Sequence, residues 1–231
     1  MIFVDKLQHS IEVQHLAFTA VGARSVLRAV LRWQKLRIVV RNVDVADPET
    51  HSKQDSGGPA IQCDVLETPS ALLALEDEFP QSFRDYVGRL ERRLQNGCVL
   101  FVLRVGDASN KRKRIAGYSI CQPGVFSAFG AIQKIPSDIL FSHYFEFLPE
   151  YRGQGLKTVL EEKRTEYCRM HRLRSICGVI ASHNIASLKT SLRAGFKVVG
   201  AMRQVSILKG LVVWRTSWKT VEKALTEVFN D

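Results

Sequence analysis

The sequence has no apolar run near the roughly 18 residues that a membrane-spanning helix requires, and its start, MIFVDKLQHS, lacks the basic-then-apolar order of a secretory signal. A soluble, cytoplasmic protein with no membrane span is the expectation. Its five cysteines (Cys63, Cys98, Cys121, Cys168, Cys177) are odd in number and include no CxxC pair. Neither a disulfide framework nor a cysteine zinc site follows, and the thiols read as reduced. His9 and His15 match no metal spacing, so no metal is expected. A Walker loop, GxxxxGK[ST], is absent, as are internal repeats and low-complexity tracts.

What the chain has is 231 residues, enough to bury a real core, and a formal charge of +10. The charge is uneven: +2 over residues 1–60, −1 over 61–150 and +9 over 151–231. An excess of that kind calls for an anionic partner, and its placement directs attention to the last 81 residues.

Residues 16–35 read as an amphipathic helix, with Leu16, Ala20, Ala23, Leu27 and Val30 on one side and Arg24, Arg28, Arg32 and Lys35 on another. A short strand follows over 36–45. The stretch DPETHSKQDSGGP, residues 47–59, is dense in turn formers and charge and marks a boundary. This divides the chain into an N-terminal helical extension and linker (1–60), a domain (61–219) and a tail (220–231).

From Ile61 onward strand-like and helix-like segments alternate, the signature of an α/β or α+β layer architecture. Strands are expected over 61–66, 98–105, 115–122, 139–148 and 175–181, with a hairpin over 197–218 turning at Lys209-Gly210. Helices are expected over 70–76, capped by Ser70, and over 81–95, 155–171 and 185–194. Residues 123–137 read as an irregular loop.

Two segments carry chemistry. FEFLPEYRGQGLKTVLEEK, residues 145–163, is a strand, a turn with Gly153 and Gly155, and a helix starting near Leu156. Glycine lets the backbone turn tightly and approach a ligand, and the helix start offers free amides and a positive dipole end. That combination suits a phosphate, with Arg152 and Lys157 flanking it and Thr158 adding a hydroxyl. RGQGLK lacks the GxGxxG spacing of a dinucleotide fold. In SHNIASLKTSLRAGFKVVG, residues 182–200, Asn184 is placed to cap a helix that Gly195 ends.

Together the two segments resemble the GNAT acyltransferase superfamily. YRGQGL matches its R/Q-x-x-G-x-G/A acyl-CoA loop, while Asn184, Ser187, Gly195 and Phe196 match the pattern of its next βα unit. The order of elements from 61 to 218 matches as well. The resemblance implies a mixed, mostly antiparallel central sheet flanked by helices, and an acyltransferase that uses acetyl-CoA or another acyl-CoA as cosubstrate. It implies that the backbone of Phe145, Glu146, Phe147 and Leu148 binds the pantetheine arm. Arg152 and the loop Gly153, Gln154, Gly155, Leu156, Lys157 and Thr158 would hold the pyrophosphate, with Asn184 and Ser187 near the arm. Two departures stand out: Lys157 where the family usually has Gly or Ala, and Ser191 where it often has a tyrosine that protonates the departing thiolate.

Acyl transfer to an amine needs the amine neutral, and alkylamines are protonated at pH 7, so a base is expected. His143 matches a position where arylalkylamine N-acetyltransferases carry a histidine involved in proton removal. Alternation along 139–148 puts Phe141, His143, Phe145 and Phe147 on one face and Ser142, Tyr144, Glu146 and Leu148 on the other. Glu146 is therefore the second candidate, on the opposite face unless a bulge re-aims it. Ser191 completes the candidate catalytic set, and attack is expected to be direct, without a cysteine acyl-enzyme. The acceptor is a small-molecule amine or a protein or peptide, and a homodimer is compatible with the apolar side of the first helix. The rival reading is an inactive GNAT-like module that binds CoA or an anionic polymer such as RNA, favoured by Ser191 and Lys157. The Arg24–Lys35 stripe and the Lys111–Arg114 run read first as solvated faces rather than nucleic-acid contacts.

Overall fold

The computed structural model describes residues 31–44, 61–107, 110–128, 131–207, 212–215 and 223. The chain is a mixed α+β fold of two compact units, Met1–Leu36 with Gly200–Asp231, and Arg37–Val199. Residues ahead of 60 contribute a strand, where one was expected over 36–45. That strand, β1 (Leu31–Asn42), includes residues 31–35, where the amphipathic pattern predicted helix. Its Ile38-Val39-Val40 run is β-branched and buried, and packing of that kind overrides local helix periodicity. The rest of the expected helix, 16–30, lies outside the described residues.

The second unit continues with β2 (Ile61–Leu66), helices α1 (Pro69–Leu73) and α2 (Gln81–Gln95), and strands β3 (Val99–Asp107) and β4 (Asn110–Pro123). A small hairpin, β5 (Val125–Ala128) with β6 (Ala131–Lys134), occupies much of the segment expected to be irregular. Then come β7 (Ile139–Phe147), α3 (Leu156–Met170), β8 (Ser175–Ala181) and α4 (Ile185–Arg193). Within this unit the central sheet runs β1-β8-β7-β4-β3-β2, with β2, β3, β4 and β7 antiparallel and β7 parallel to β8. In the other unit β9 (Lys197–Ile207) pairs antiparallel with β10 (Val212–Arg215), as the hairpin reading expected.

Alternation on β3 decides the layers. Phe101 and Leu103 turn to the core under α3, while Leu100 and Val102 turn to the core under α2 with Phe83, Leu90 and Leu94. These side chains are at most 4% exposed, and each contributes roughly 1.5–3 kcal/mol by leaving water. The short helix α1 is capped by Thr68, whose Oγ1 accepts from Ala71 N at 3.3 Å, rather than by Ser70. Pro69 supplies a preset helical φ at the first position, which moves the start forward.

Candidate active site

Helix α3 opens the site. Gly153 (φ 78°) and Gly155 (φ 79°) both adopt left-handed conformations, and Gly155 is the residue at the helix N-cap. A β-carbon at either would meet nothing within 4 Å, so open space lies over the turn. Among the described residues, the amides of Gly153, Gly155, Leu156 and Lys157 make no backbone hydrogen bond, and Thr158 N donates to Gly155 O at 2.9 Å. The helix carries no acidic residue in its first turn. This is a cradle of N–H groups at the positive end of a helix, matched to an anion. Leu156 anchors it, 2% exposed in the core.

Beside the cradle the sheet opens. The β7–β8 pairing runs from Ile139 opposite Ser175 to Ser142 opposite Gly178 and stops there. From Tyr144 to Phe147, β7 keeps only β4 as a partner among the described residues. Two of the backbone groups expected to bind an extended ligand are already engaged: Leu148 N donates to Ala116 O, and Phe147 O accepts from Arg152 Nε at 3.1 Å. Arg152 therefore folds back onto the strand. Gln154 likewise turns away, donating to Glu150 O at 2.8 Å.

Along β7 the expected alternation of faces is broken. Ile120 pairs with Tyr144 and Cys121 with Ser142, which leaves His143 as the extra residue of a β-bulge. The bulge resets the alternation. Ser142, Phe145 and Phe147 face α3, whereas Phe141, His143, Tyr144 and Glu146 share the face toward α2. His143 and Glu146, expected on opposite faces, are thus on the same one, and His143 is parted from Phe145 and Phe147. Arg164, 2% exposed, sits under the bulge, donating to Ser142 Oγ at 2.9 Å and to Ser119 Oγ, with Glu161 Oε1 as its ion partner at 2.9 Å.

His143 Nε2 lies 3.2 Å from Gln122 Oε1. Gln122 Nε2 donates to Asn96 O at 2.8 Å, which orients the amide and makes Oε1 an acceptor. Nε2 therefore carries the proton and Nδ1 keeps its lone pair. Burial, and secondarily Arg93, push the imidazole down to about 4. Tyr144 OH donates to Glu146 Oε2 at 2.8 Å, which holds a carboxylate on the same strand as the histidine.

Helix α4 supplies the facing wall. Asn184 Oδ1 accepts from Ser187 N at 3.1 Å, the cap expected from the sequence, and Gly195 (φ 83°) closes the helix with Phe196 N donating to Ser191 O. Ser191 is 4% exposed. Lys157 does not reach over the loop toward a phosphate. It turns inward, donating from Nζ to Ser191 Oγ at 2.7 Å and Ser187 O at 3.2 Å, with the Phe145 ring centroid 5.1 Å away. Burial lowers its pKa to about 8, against a raising contribution from Glu161.

Several groups escaped the sequence reading. Gln122, Arg93, Tyr144 and Arg164 belong to no motif; pairing of β4 with β7 brings Gln122 and Tyr144 to the site, and packing of α2 and α3 on the sheet brings Arg93 and Arg164. Arg41 on β1 binds Ala194 O at 3.1 Å, Glu161 O at 3.2 Å and Thr165 Oγ1 at 2.5 Å, joining α3 to the end of α4. Burial pushes all five thiols upward, with Cys63, Cys168 and Cys177 each at about 12. None is held as a thiolate nucleophile. No cluster of His, Cys, Asp or Glu among the described residues has metal-binding form, and no helix among them is long and apolar enough to cross a membrane. Phe126 is buried against Phe141 with ring centroids 4.7 Å apart.

No protein-family model and no curated protein matches the sequence. Solved structures do. A tandem GNAT protein from the clavulanic acid biosynthesis pathway aligns with a TM-score of 0.51 at 14% identity, covering 81% of this chain and 59% of that one. A functionally unknown conserved protein from Staphylococcus epidermidis aligns at 0.46 and 14% identity, over 80% of this chain and 66% of its own. An aminoglycoside antibiotic 6'-N-acetyltransferase from Acinetobacter baumannii aligns at 0.42 and 17% identity, over 60% of this chain and 91% of its own. The chain spans about three-fifths of the tandem protein's length. The likeness to that protein shows that this chain has a GNAT-like fold.

Proposed function

We propose that the protein binds acyl-CoA and transfers the acyl group to an amine by direct attack. The observation that carries this reading is the open amide cradle at Gly153–Lys157, set beside the place where β7 parts from β8. A pyrophosphate fits the cradle, and an extended arm fits the unpaired edge of β7. The residues present suit such a ligand: no acidic side chain enters the first turn of α3, and the glycines leave space for close approach.

His143 takes the proton from the attacking amine through Nδ1, the nitrogen that its bond to Gln122 leaves free. With a pKa of about 4 it is neutral throughout the physiological range and a weak base, so it works by position and by accepting a proton as the C–N bond forms. Glu146, held by Tyr144, draws a cationic acceptor to the same face. The thiols contribute no covalent intermediate.

The experiment is incubation with acetyl-CoA and a panel of primary amines (a polyamine, an arylalkylamine, a lysine-containing peptide), reading release of the CoA thiol and the mass of the acylated product. Amine-dependent thiol release supports the reading. Saturable binding of acetyl-CoA without turnover of any acceptor would leave the binding module instead.

A further inference from the structure

Lys157 is the one basic residue of the turn that neither faces solvent nor reaches across the cradle. It leaves the second position of α3, passes over the Phe145 ring and ends on α4 at Ser191 Oγ and Ser187 O. Phe145 lies on the part of β7 that β8 has left, so the ammonium bridges that part of β7 and helix α4. Ser187 O can only accept, so one N–H is fixed there, and a second points at Ser191 Oγ, which fixes the head group while leaving a third N–H available. A hydroxyl donates poorly to sulfur, whereas an ammonium in a half-buried site donates well.

Resting on the acyl-CoA reading above, we propose that the Lys157 ammonium is the proton donor to the thiolate that departs from acyl-CoA, with Ser191 as its positioning residue. In the step, the C–N bond to the amine forms, the C–S bond breaks, and a proton passes from Nζ to sulfur. The amine's surplus proton leaves through His143 or water, and the neutral lysine is recharged from solvent. The charged groups that act on Lys157 are Glu161 and Arg164 on its own helix; α4 and β7 present it with a carbonyl, a hydroxyl and a ring. Its pKa of about 8 is close to that of a thiol, which makes the transfer nearly balanced.

The test separates this assignment from the reading it rests on. CoA and desulfo-CoA, which lacks only the sulfur, are titrated into wild type, Lys157→Met, Lys157→Arg and Ser191→Ala, and the thiol of bound CoA is titrated by its ultraviolet thiolate absorbance. An ammonium beside the sulfur lowers the bound thiol's pKa by about one unit or more. Lys157→Met should abolish that shift while changing desulfo-CoA affinity by less than about threefold. Lys157→Arg should keep the shift but slow turnover, because a guanidinium holds its proton. Ser191→Ala should weaken the shift. If Lys157→Met weakens CoA and desulfo-CoA equally and leaves the bound thiol's pKa unmoved, Lys157 is a phosphate contact or a tether and the assignment is wrong. If folded wild type binds neither compound, the acyl-CoA reading falls and the assignment falls with it. Thermal unfolding of each variant shows whether it is folded.

Discussion

Three helices in the second unit end in the same way, and one of them does so at a cost. After α2 and α4 the left-handed position is a glycine, Gly97 or Gly195, but after α3 it is Arg172 at φ 54°. Leu173 N donates to Cys168 O at 2.8 Å, completing the same closing pattern. A side chain in that region costs of order 1 kcal/mol, so Arg172→Gly should raise stability by about 0.5–1 kcal/mol in denaturant unfolding. At His143 the consequence is pH dependence. Its folded pKa of about 4 lies below the ordinary 6.5, so the unfolded chain binds the extra proton between those values. Stability therefore rises with pH through that window, is fully present above it, and is lost as pH falls toward 4; His143→Gln should flatten that loss. In an amine assay, His143→Gln should lower kcat/KM by about 10²-fold, and wild type should show no break near pH 6.5, because the imidazole is already neutral there. A break at 6.5 that the variant removes would mean the ring is solvated.

Among the elements, β4 and β7 determine the shape of the site. A β-carbon on Gly117 would collide with the backbone carbonyl of Glu146 and the Phe147 ring. Gly117→Ala should therefore cost about 2 kcal/mol or more and shift the end of β7 that borders the cradle, read as a fall in thermal midpoint with weaker CoA binding. Under the bulge, Arg164→Met leaves the buried Glu161 with only its longer contact to Arg41, at 3.9 Å, and should cost about 3 kcal/mol; adding Glu161→Gln should recover part of it. These pairings also explain what could be read in advance. The boundaries of α2, α3 and α4 were legible because Asn96-Gly97, Gly155 and Asn184 are local signals whose effect does not depend on tertiary partners. The bulge at His143 was not, since Ile139–Phe147 looks like an unbroken strand until β4 imposes its register. The β5–β6 hairpin was hidden by its glycines, and the first residues of β1 by an arginine spacing that fits a helix.

For the whole molecule, the uneven charge takes a more definite place. Of the cations near the turn, Arg152 is folded onto Phe147 O and Lys157 is turned to α4, so the cradle's attraction for an anion comes from backbone amides and the helix end more than from basic side chains. Binding should accordingly depend only modestly on salt, unlike a polyanion held by many lysines and arginines. The GNAT-like fold places the cradle, the parted strands and the His143 face in one unit, Arg37–Val199. The most direct test is calorimetric titration of acetyl-CoA into wild type and Gly155→Val, at low and at moderate salt. The account predicts one saturable site in wild type, a thermal midpoint that climbs with ligand, little salt dependence, and a loss of about tenfold or more when a branched residue must adopt the left-handed turn at 155. Absence of binding to folded wild type at millimolar acetyl-CoA, or equal binding by the variant, would contradict it.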